Sequence, residues 1–283
     1  MTMPPIDATI VGLTLGPVAC TLDPRWLMAY AAGLGESDPR YYDTTSPRGP
    51  LAHPLFVVCY EWPVAVALRE KTIDPALAPH SVHATHHLVL HRLPRAGDSL
   101  RTTARVVGVE RRRSGTLVVT RFTTTDRTGV LVSTTDYGSV YRGVELRGDE
   151  VVSPSEPVTE GGDESTRWEE RVPVAAQAAH VYTECARIWN PIHTDLVVAR
   201  AAGLPGLILH GTATLALAVS RVVLRDLGGD VTRVREVRGD FTGMVALPST
   251  LIVRGRRAAG GRLGFDAVDA TGAAVLSRGV VTA

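Results

Sequence analysis

Residues Tyr182 to Asp195 read YTECARIWNPIHTD, and an earlier stretch, Tyr30 to Tyr41, reads YAAGLGESDPRY. Laid one over the other without a gap, the tyrosines coincide, Pro39 falls on Pro191, Asp38 on Asn190, Tyr41 on His193 and Glu36 on Ile188. After a loop of different length each stretch leads to a histidine turn, LAHPLF around His53 and LILHGTA around His210. Working outward, each turn opens a long apolar helix, about Ala52–Lys71 in the first half and Thr212–Leu227 in the second. Runs rich in Val, Thr and Leu then read as strands: near Val82–Leu93, Ser99–Glu110, Gly115–Thr125 and Val130–Tyr141, and again near Val231–Phe241, Thr250–Arg256, Arg262–Asp269 and Ala273–Val281. The same order twice is an internal duplication. It predicts an α+β fold of two repeats, 1–147 and 167–283, each a central helix against about five antiparallel strands. The two sheets join edge to edge about a pseudo-twofold, with both helices on one side, because that pairing removes two exposed edges. The segment 148–166, GDEVVSPSEPVTEGGDEST, reads as the linker because Pro, Gly, Ser and acidic residues displace any apolar period.

Composition narrows the class of function. The 283 residues are 45% hydrophobic and 21% charged, enough apolar material for a sizeable core and too much for a disordered chain. Thirty basic against twenty-nine acidic residues give a formal net charge of +1, which offers no global attraction to nucleic acid or acidic lipid. No apolar run is long enough to span a bilayer, and the opening MTMPPIDATIVG has neither the basic start nor the apolar core of a secretion signal. A cytoplasmic protein with a small-molecule partner is the expectation. The cysteines Cys20, Cys59 and Cys185 lie far apart and read as buried thiols, and Lys71 is the single lysine, which disfavours Schiff-base chemistry.

The stretch Tyr182–Asp195 resembles the signature of the MaoC-like, (R)-specific enoyl-thioester hydratases and 3-hydroxyacyl dehydratases, and GLPGLILHGTATLALAVSRVV resembles their His-Gly turn entering the central helix. YAAGLGESDPRYYD, LAHPLF and LPRAGDSL look like the degenerate first half of the double-hotdog members. The resemblance implies a double hotdog fold, an acyl-CoA or acyl-carrier-protein thioester as partner, no cofactor, and a monomer or homodimer. It also implies an Asp–His pair, five residues apart, that moves a proton at the α-carbon while water adds at the β-carbon. Here the histidine is His193 but the acid position is Ile188, which can neither accept a proton nor orient water. By the same resemblance, the amide of Gly211 at the helix start is the donor to the thioester carbonyl.

With the acid missing, Glu184, one helical turn before Ile188, and Asp195, two residues past His193, are candidates for the second group. Glu36, at the acid position of the first half, belongs to the other side of the pseudo-twofold. Asn190 and Tyr182 hold the loop, Arg187 offers a charge for a substrate carboxylate or phosphate, and His210 anchors the turn. Ile188, Phe56 and Trp62 are expected as cavity walls. The cluster His83, His86, His87 and His91 invites a metal reading. On a regular strand, however, His83, His87 and His91 share a face and span about 13 Å at ~3.3 Å per residue, too far for one ion, so no metal is expected. The run Arg111–Arg113 reads as a basic hairpin tip. Three functions fit: a hydro-lyase on an acyl thioester with an altered dyad, a natural-product cyclase, conjugate-addition enzyme or isomerase on the same fold, and a non-catalytic acyl-binding subunit.

Overall fold

The computed structural model of the chain describes residues 3–154, 165–257 and 262–283. Its strands are β1 (Ile6–Asp7), β2 (Thr14–Thr21), β3 (Ser81–Leu90), β4 (Ser99–Arg112), β5 (Gly115–Asp126), β6 (Leu131–Arg142), β7 (Leu146–Arg147), β8 (Trp168–Val174), β9 (Glu236–Phe241), β10 (Ser249–Arg257), β11 (Leu263–Val268) and β12 (Ala274–Thr282). Five helices accompany them among the described residues: α1 (Pro24–Gly33), α2 (Val57–Thr72), α3 (Ala178–Ala186), α4 (Leu196–Ala201) and α5 (Gly211–Asp226). The strands and central helices fall within a few residues of the spans read from the sequence. Two short helices precede the central ones, with Tyr30 inside α1 and Tyr182 inside α3. The edge strands β2 and β8, whose residues lack a strong alternating signal, complete five strands per half.

Ten strands form one sheet in the order β2-β4-β5-β6-β3-β9-β12-β11-β10-β8. Read from the middle the order is symmetric, and the seam is the antiparallel pair β3–β9, with Thr85 opposite Asp240 and Leu88 opposite Val237. The joined sheet and the double hotdog architecture are therefore as the repeat implied. Pairing at the seam hides two edges that would otherwise present unpaired backbone groups. At the far end of the first half, the β4–β5 hairpin turns on Gly115, whose φ of 140° and whose distance of 2.0 Å from a would-be Cβ to the Tyr141 carbonyl oxygen admit only glycine.

One apolar cluster unites both halves, with Phe56, Val57 and Tyr60 of the first packed in common with Leu215, Val219 and Val222 of the second. Across the pseudo-twofold α1 meets α3 closely: a Cβ on Gly33 would lie 2.8 Å from the Cys185 Cβ, and the Tyr30 and Tyr182 hydroxyls are 3.4 Å apart. The segment taken as the linker is partly paired, since Val151 exchanges two 2.9 Å backbone hydrogen bonds with Val109 on β4. Its residues 155–164 lie outside the described residues. The basic tip is likewise not free: Arg111 donates to the Gly148 carbonyl at 2.6 Å and Arg112 pairs with Glu110 at 2.7 Å.

Candidate active site

The turn that presents His193 is built in three steps from its own sequence. Arg187 ends α3 in the left-handed region at φ 59°, its N–H bonded back to the Thr183 carbonyl, and this reversal turns Ile188 inward and leaves Trp189 exposed. Asn190 then caps a short 3-10 turn, its Oδ1 accepting from the Ile192 amide at 3.4 Å, with Pro191 at the first position where no amide is needed. His193 closes the turn, buried, with Nδ1 2.9 Å from the Ile208 carbonyl. A carbonyl only accepts, so Nδ1 carries the proton and Nε2 keeps its lone pair. Nε2 has no protein partner among the described residues.

The His193 ring stacks on His210, 3.7 Å between centroids, and His210 Nε2 lies 3.2 Å from Thr183 Oγ1. Burial pulls His193 down to about 4, against the opposing effect of the Ile208 hydrogen bond. His210 is held well below the ordinary histidine value by burial first and by the neighbouring His193 second. Both rings are therefore neutral near pH 7, and His193 is a base with a free lone pair.

A cavity of about 180 Å³ opens on this turn, with His193, Ile188, Asn190, His210 and Gly211 at one end and Trp62 and Glu61 of α2 contributing its wall in the first half. Gly211 is the first residue of α5, and no side chain caps that end. Its amide belongs to the turn of N–H groups that a helix leaves without internal partners, at the positive end of the dipole. A Cβ there would lie 3.2 Å from the Phe241 ring, so glycine also allows the close approach.

The structure brings together His193, Asn190, Ile188, His210, Gly211 and Trp62 on the cavity, and it separates the rest of the expected set. Glu184 is exposed on the outer face of α3 beside a separate hollow with Trp189, because the reversal at Arg187 carries the chain inward after it. Asp195 caps α4, accepting from the amides of Val197 at 2.8 Å and Val198 at 3.2 Å. Neither lines the cavity, so neither stands in for the missing acid. Arg187 lies over the Trp26 ring at 4.3 Å instead of facing a substrate anion. Tyr182 is buried behind the wall, its hydroxyl donating to Thr212 Oγ1 at 3.1 Å, where it fixes the start of α5 without lining the cavity. Phe56 is sealed in the core against Trp26 and Tyr30 rather than forming a wall.

The histidine cluster also differs from its reading on a regular strand. A bulge between His83 and Thr85 breaks the alternation, so the His83 ring sits 5.3 Å from His86, stacked on Tyr137 at 3.8 Å, and lines the cavity. His87 turns away to Glu236 at 2.9 Å. Among the described residues no group of three or more His, Cys, Asp or Glu is placed to hold a metal. Sequence reasoning missed His83 and Phe241, which pack near Gly211, and Glu61. The last had a signal, as the lone acid in the apolar run FVVCYEWPVAVAL.

Comparison with known proteins matches two separate segments of the chain. Residues 159–275 match the MaoC like domain, and residues 9–135 match the FAS1-like, dehydratase domain region. An enoyl-CoA hydratase of Mycobacterium tuberculosis, ChsH3, is 27% identical over 259 residues, 88% of each chain. The fatty acid synthase beta subunit pkiC of Emericella nidulans is 38% identical over 72 residues, 25% of this chain and only 4% of that far longer protein. In structure, a MaoC-like dehydratase of Phytophthora capsici superposes with a TM-score of 0.82 at 22% identity, covering 96% of this chain and 95% of that one. These matches give the chain a MaoC like domain in its second half and a FAS1-like, dehydratase domain region in its first, on the double hotdog fold that the symmetric ten-stranded sheet builds.

Proposed function

We propose that the chain is a hydro-lyase acting on an acyl thioester, hydrating a 2-enoyl group or dehydrating its (R)-3-hydroxy partner, with His193 as a single acid/base. The observation that carries this reading is the His193 ring itself: Nδ1 is committed to the Ile208 carbonyl, and Nε2 is free on a cavity shared with the start of α5. In hydration, Nε2 takes a proton from water as the water oxygen bonds to C3, and the electron pair of the double bond moves onto the thioester oxygen. The Gly211 amide stabilises that enolate. Nε2–H then returns the proton to C2, so one group serves both steps and no redox partner is needed. The enoyl-CoA hydratase and fatty acid synthase relatives support an acyl thioester as the substrate class.

A second reading is favoured by one residue. Ile188 is buried on the cavity at the position where the family resemblance calls for an acid, so an apolar surface faces the substrate there. A cyclisation, conjugate addition or isomerisation needs only a base and a shaped cavity. A non-catalytic acyl-binding subunit would bind thioesters without turnover. The deciding experiment is a spectroscopic assay of purified protein with crotonyl-CoA and longer 2-enoyl thioesters, read as loss of the conjugated absorbance with product identification. Hydration abolished by His193→Ala supports the first reading. Binding with no chemistry supports the acyl-binding subunit, and a rearranged product supports the second reading.

A further inference from the structure

The part of the cavity in the first half is more polar than a pocket for a plain hydrocarbon tail requires. A continuous line of contacts leads there from the reacting end. Gly211 abuts Phe241, which lies 4.2 Å from His83, and His83 stacks on Tyr137. Tyr137 meets Phe122 edge-on at 6.4 Å, and Phe122 pairs across the sheet with Thr135. The Thr135 hydroxyl donates to Glu61 Oε1 at 2.7 Å.

Glu61 belongs to α2, where its neighbours Tyr60 and Val64 are core residues, yet it lines the cavity. It is only 3% exposed, and its Oε2 has no partner among the described residues. With Oε1 taken by the Thr135 hydroxyl, Oε2 is left to meet whatever occupies the cavity. It forms no ion pair with a cation of the described residues. Thr120 and Ser139 add further hydroxyl groups to the same wall.

We infer that the cavity accepts an acyl chain bearing an oxygen substituent, a hydroxyl or a ketone, and that Glu61 reads this substituent by hydrogen bonding. The inference rests on the acyl-thioester reading above and names the chain that reading leaves open. Burial raises the Glu61 carboxyl to about 8, against the opposing Thr135 hydrogen bond, so near neutral pH it holds its proton and can donate as well as accept. A ketone would take the carboxyl proton, and a hydroxyl could give or take. A saturated tail would leave Oε2 facing methylene groups, the mismatch by which polar sites reject apolar analogues.

The test is calorimetric titration of saturated acyl-pantetheine thioesters of equal length, one unsubstituted and a set with a single hydroxyl at successive carbons beyond C3. Such chains carry neither a 2,3-double bond nor a 3-hydroxyl, so they can be neither hydrated nor dehydrated and binding is read apart from turnover. The wild type is expected to bind at least one hydroxylated isomer about tenfold or more tighter than the plain chain. Glu61→Gln should retain most of this preference, and Glu61→Leu should abolish it while binding the plain chain at least as well. Equal affinities across the set in the wild type, or a preference that survives Glu61→Leu, would overturn the inference. The wild-type comparison needs no variant, so it decides even where Glu61→Leu fails to fold. A hydroxyl preference without turnover of any 2-enoyl thioester would refute the hydratase reading and leave this inference standing.

Discussion

The two halves set the same three positions to different chemistry. In the second half they are Ile188, His193 and Gly211; in the first they are Glu36, Tyr41 and Pro54. Each half therefore keeps one member of the acid–histidine pair implied by the family signature. Of these two sets, only the second-half one borders the cavity and offers an amide at its histidine turn, because Glu36, Tyr41 and Pro54 do not line the cavity and Pro54 has no N–H to donate. In the first half the space is filled: Glu36 bonds Ser220 of α5, whose Oγ lies 3.1 Å from His53 Nε2, and Tyr41 is buried. The acid survives where it holds two halves together, and the base survives where it meets a cavity. On the proposed function, thioester chemistry goes with a free lone pair beside a donor amide, and the mere presence of a carboxylate in the repeat does not mark the working half.

The largest expected effect comes from removing that lone pair. His193→Ala should lower hydration by about 10²–10⁴-fold, the usual worth of a general acid/base, whereas Tyr41→Phe should leave kcat/KM unchanged. Next, Gly211→Pro imports the first half's residue at a helix position that tolerates proline; it deletes the amide proton and adds a ring whose Cβ crowds Phe241 as the Ala methyl would. Activity should fall by roughly 10²–10³-fold, as for loss of one oxyanion donor. Gly211→Ala, which keeps the amide but sets a methyl about 3.2 Å from Phe241, should fall less. Equal losses in the two variants would mean that crowding, and not the amide, matters.

Ile188→Asp reunites the acid with the histidine in one half. If substrate sits in the hydratase pose, hydration of crotonyl-type thioesters should rise by at least about tenfold. The variant should also melt at a lower temperature, since the new carboxyl is buried in the Ile188 setting and costs on the order of 1–3 kcal/mol. A well-folded variant with no gain would favour the cyclase or isomerase reading. The smallest effect on activity belongs to Glu36→Leu, which breaks the Ser220 bond in the closed half. It should cost about 1–3 kcal/mol of stability in chemical denaturation and leave turnover untouched.

Acid should expose the buried histidines. Burial lowers His53 and His86 to about 3 and His193 to about 4, below the ordinary 6.5, so these rings stay neutral in the folded chain. Between those values and 6.5 the unfolded chain binds more protons, and stability must fall as pH drops through this window. Glu61, raised to about 8, acts with the opposite sign, favouring the folded chain at low pH and losing that contribution as pH climbs from about 4.5 to 8. Thermal melts across this range should show the histidine trend dominating below about 6.5 in the wild type, and a flatter alkaline side in Glu61→Gln. The acid limb of kcat/KM should lie near 4, well below an ordinary histidine.

Much of the fold was legible because two signals agreed: the gapless overlay of Tyr30–Tyr41 on Tyr182–His193, and strands whose alternation is enforced by one buried face, as in β4. The positions of His193 and Gly211 were legible because local residues fix them, Pro191 and Asn190 for one and the helix start for the other. Glu184 and Asp195 were misplaced because helical spacing and sequence proximity say nothing of the left-handed reversal at Arg187 or of the cap on α4. Phe56 and Trp62 lie within two turns of one another, yet only Trp62 reaches the cavity, and that choice is made by packing between the halves. His83 was hidden by a bulge, which a strand read at strict period two cannot show.

The central claim is that Nε2 of His193 and the amide of Gly211 grip one thioester from opposite ends of its reacting unit. The most direct measurement is a crystal structure of the protein with a non-reactive (R)-3-hydroxyacyl amide analogue. The account predicts the C3 hydroxyl within hydrogen-bond reach of His193 Nε2, about 2.6–3.2 Å, with the analogue's carbonyl oxygen accepting from the Gly211 amide. An analogue bound in the cavity with its C3 hydroxyl remote from His193, or seated in the first half beside Tyr41 and Glu36, would contradict it.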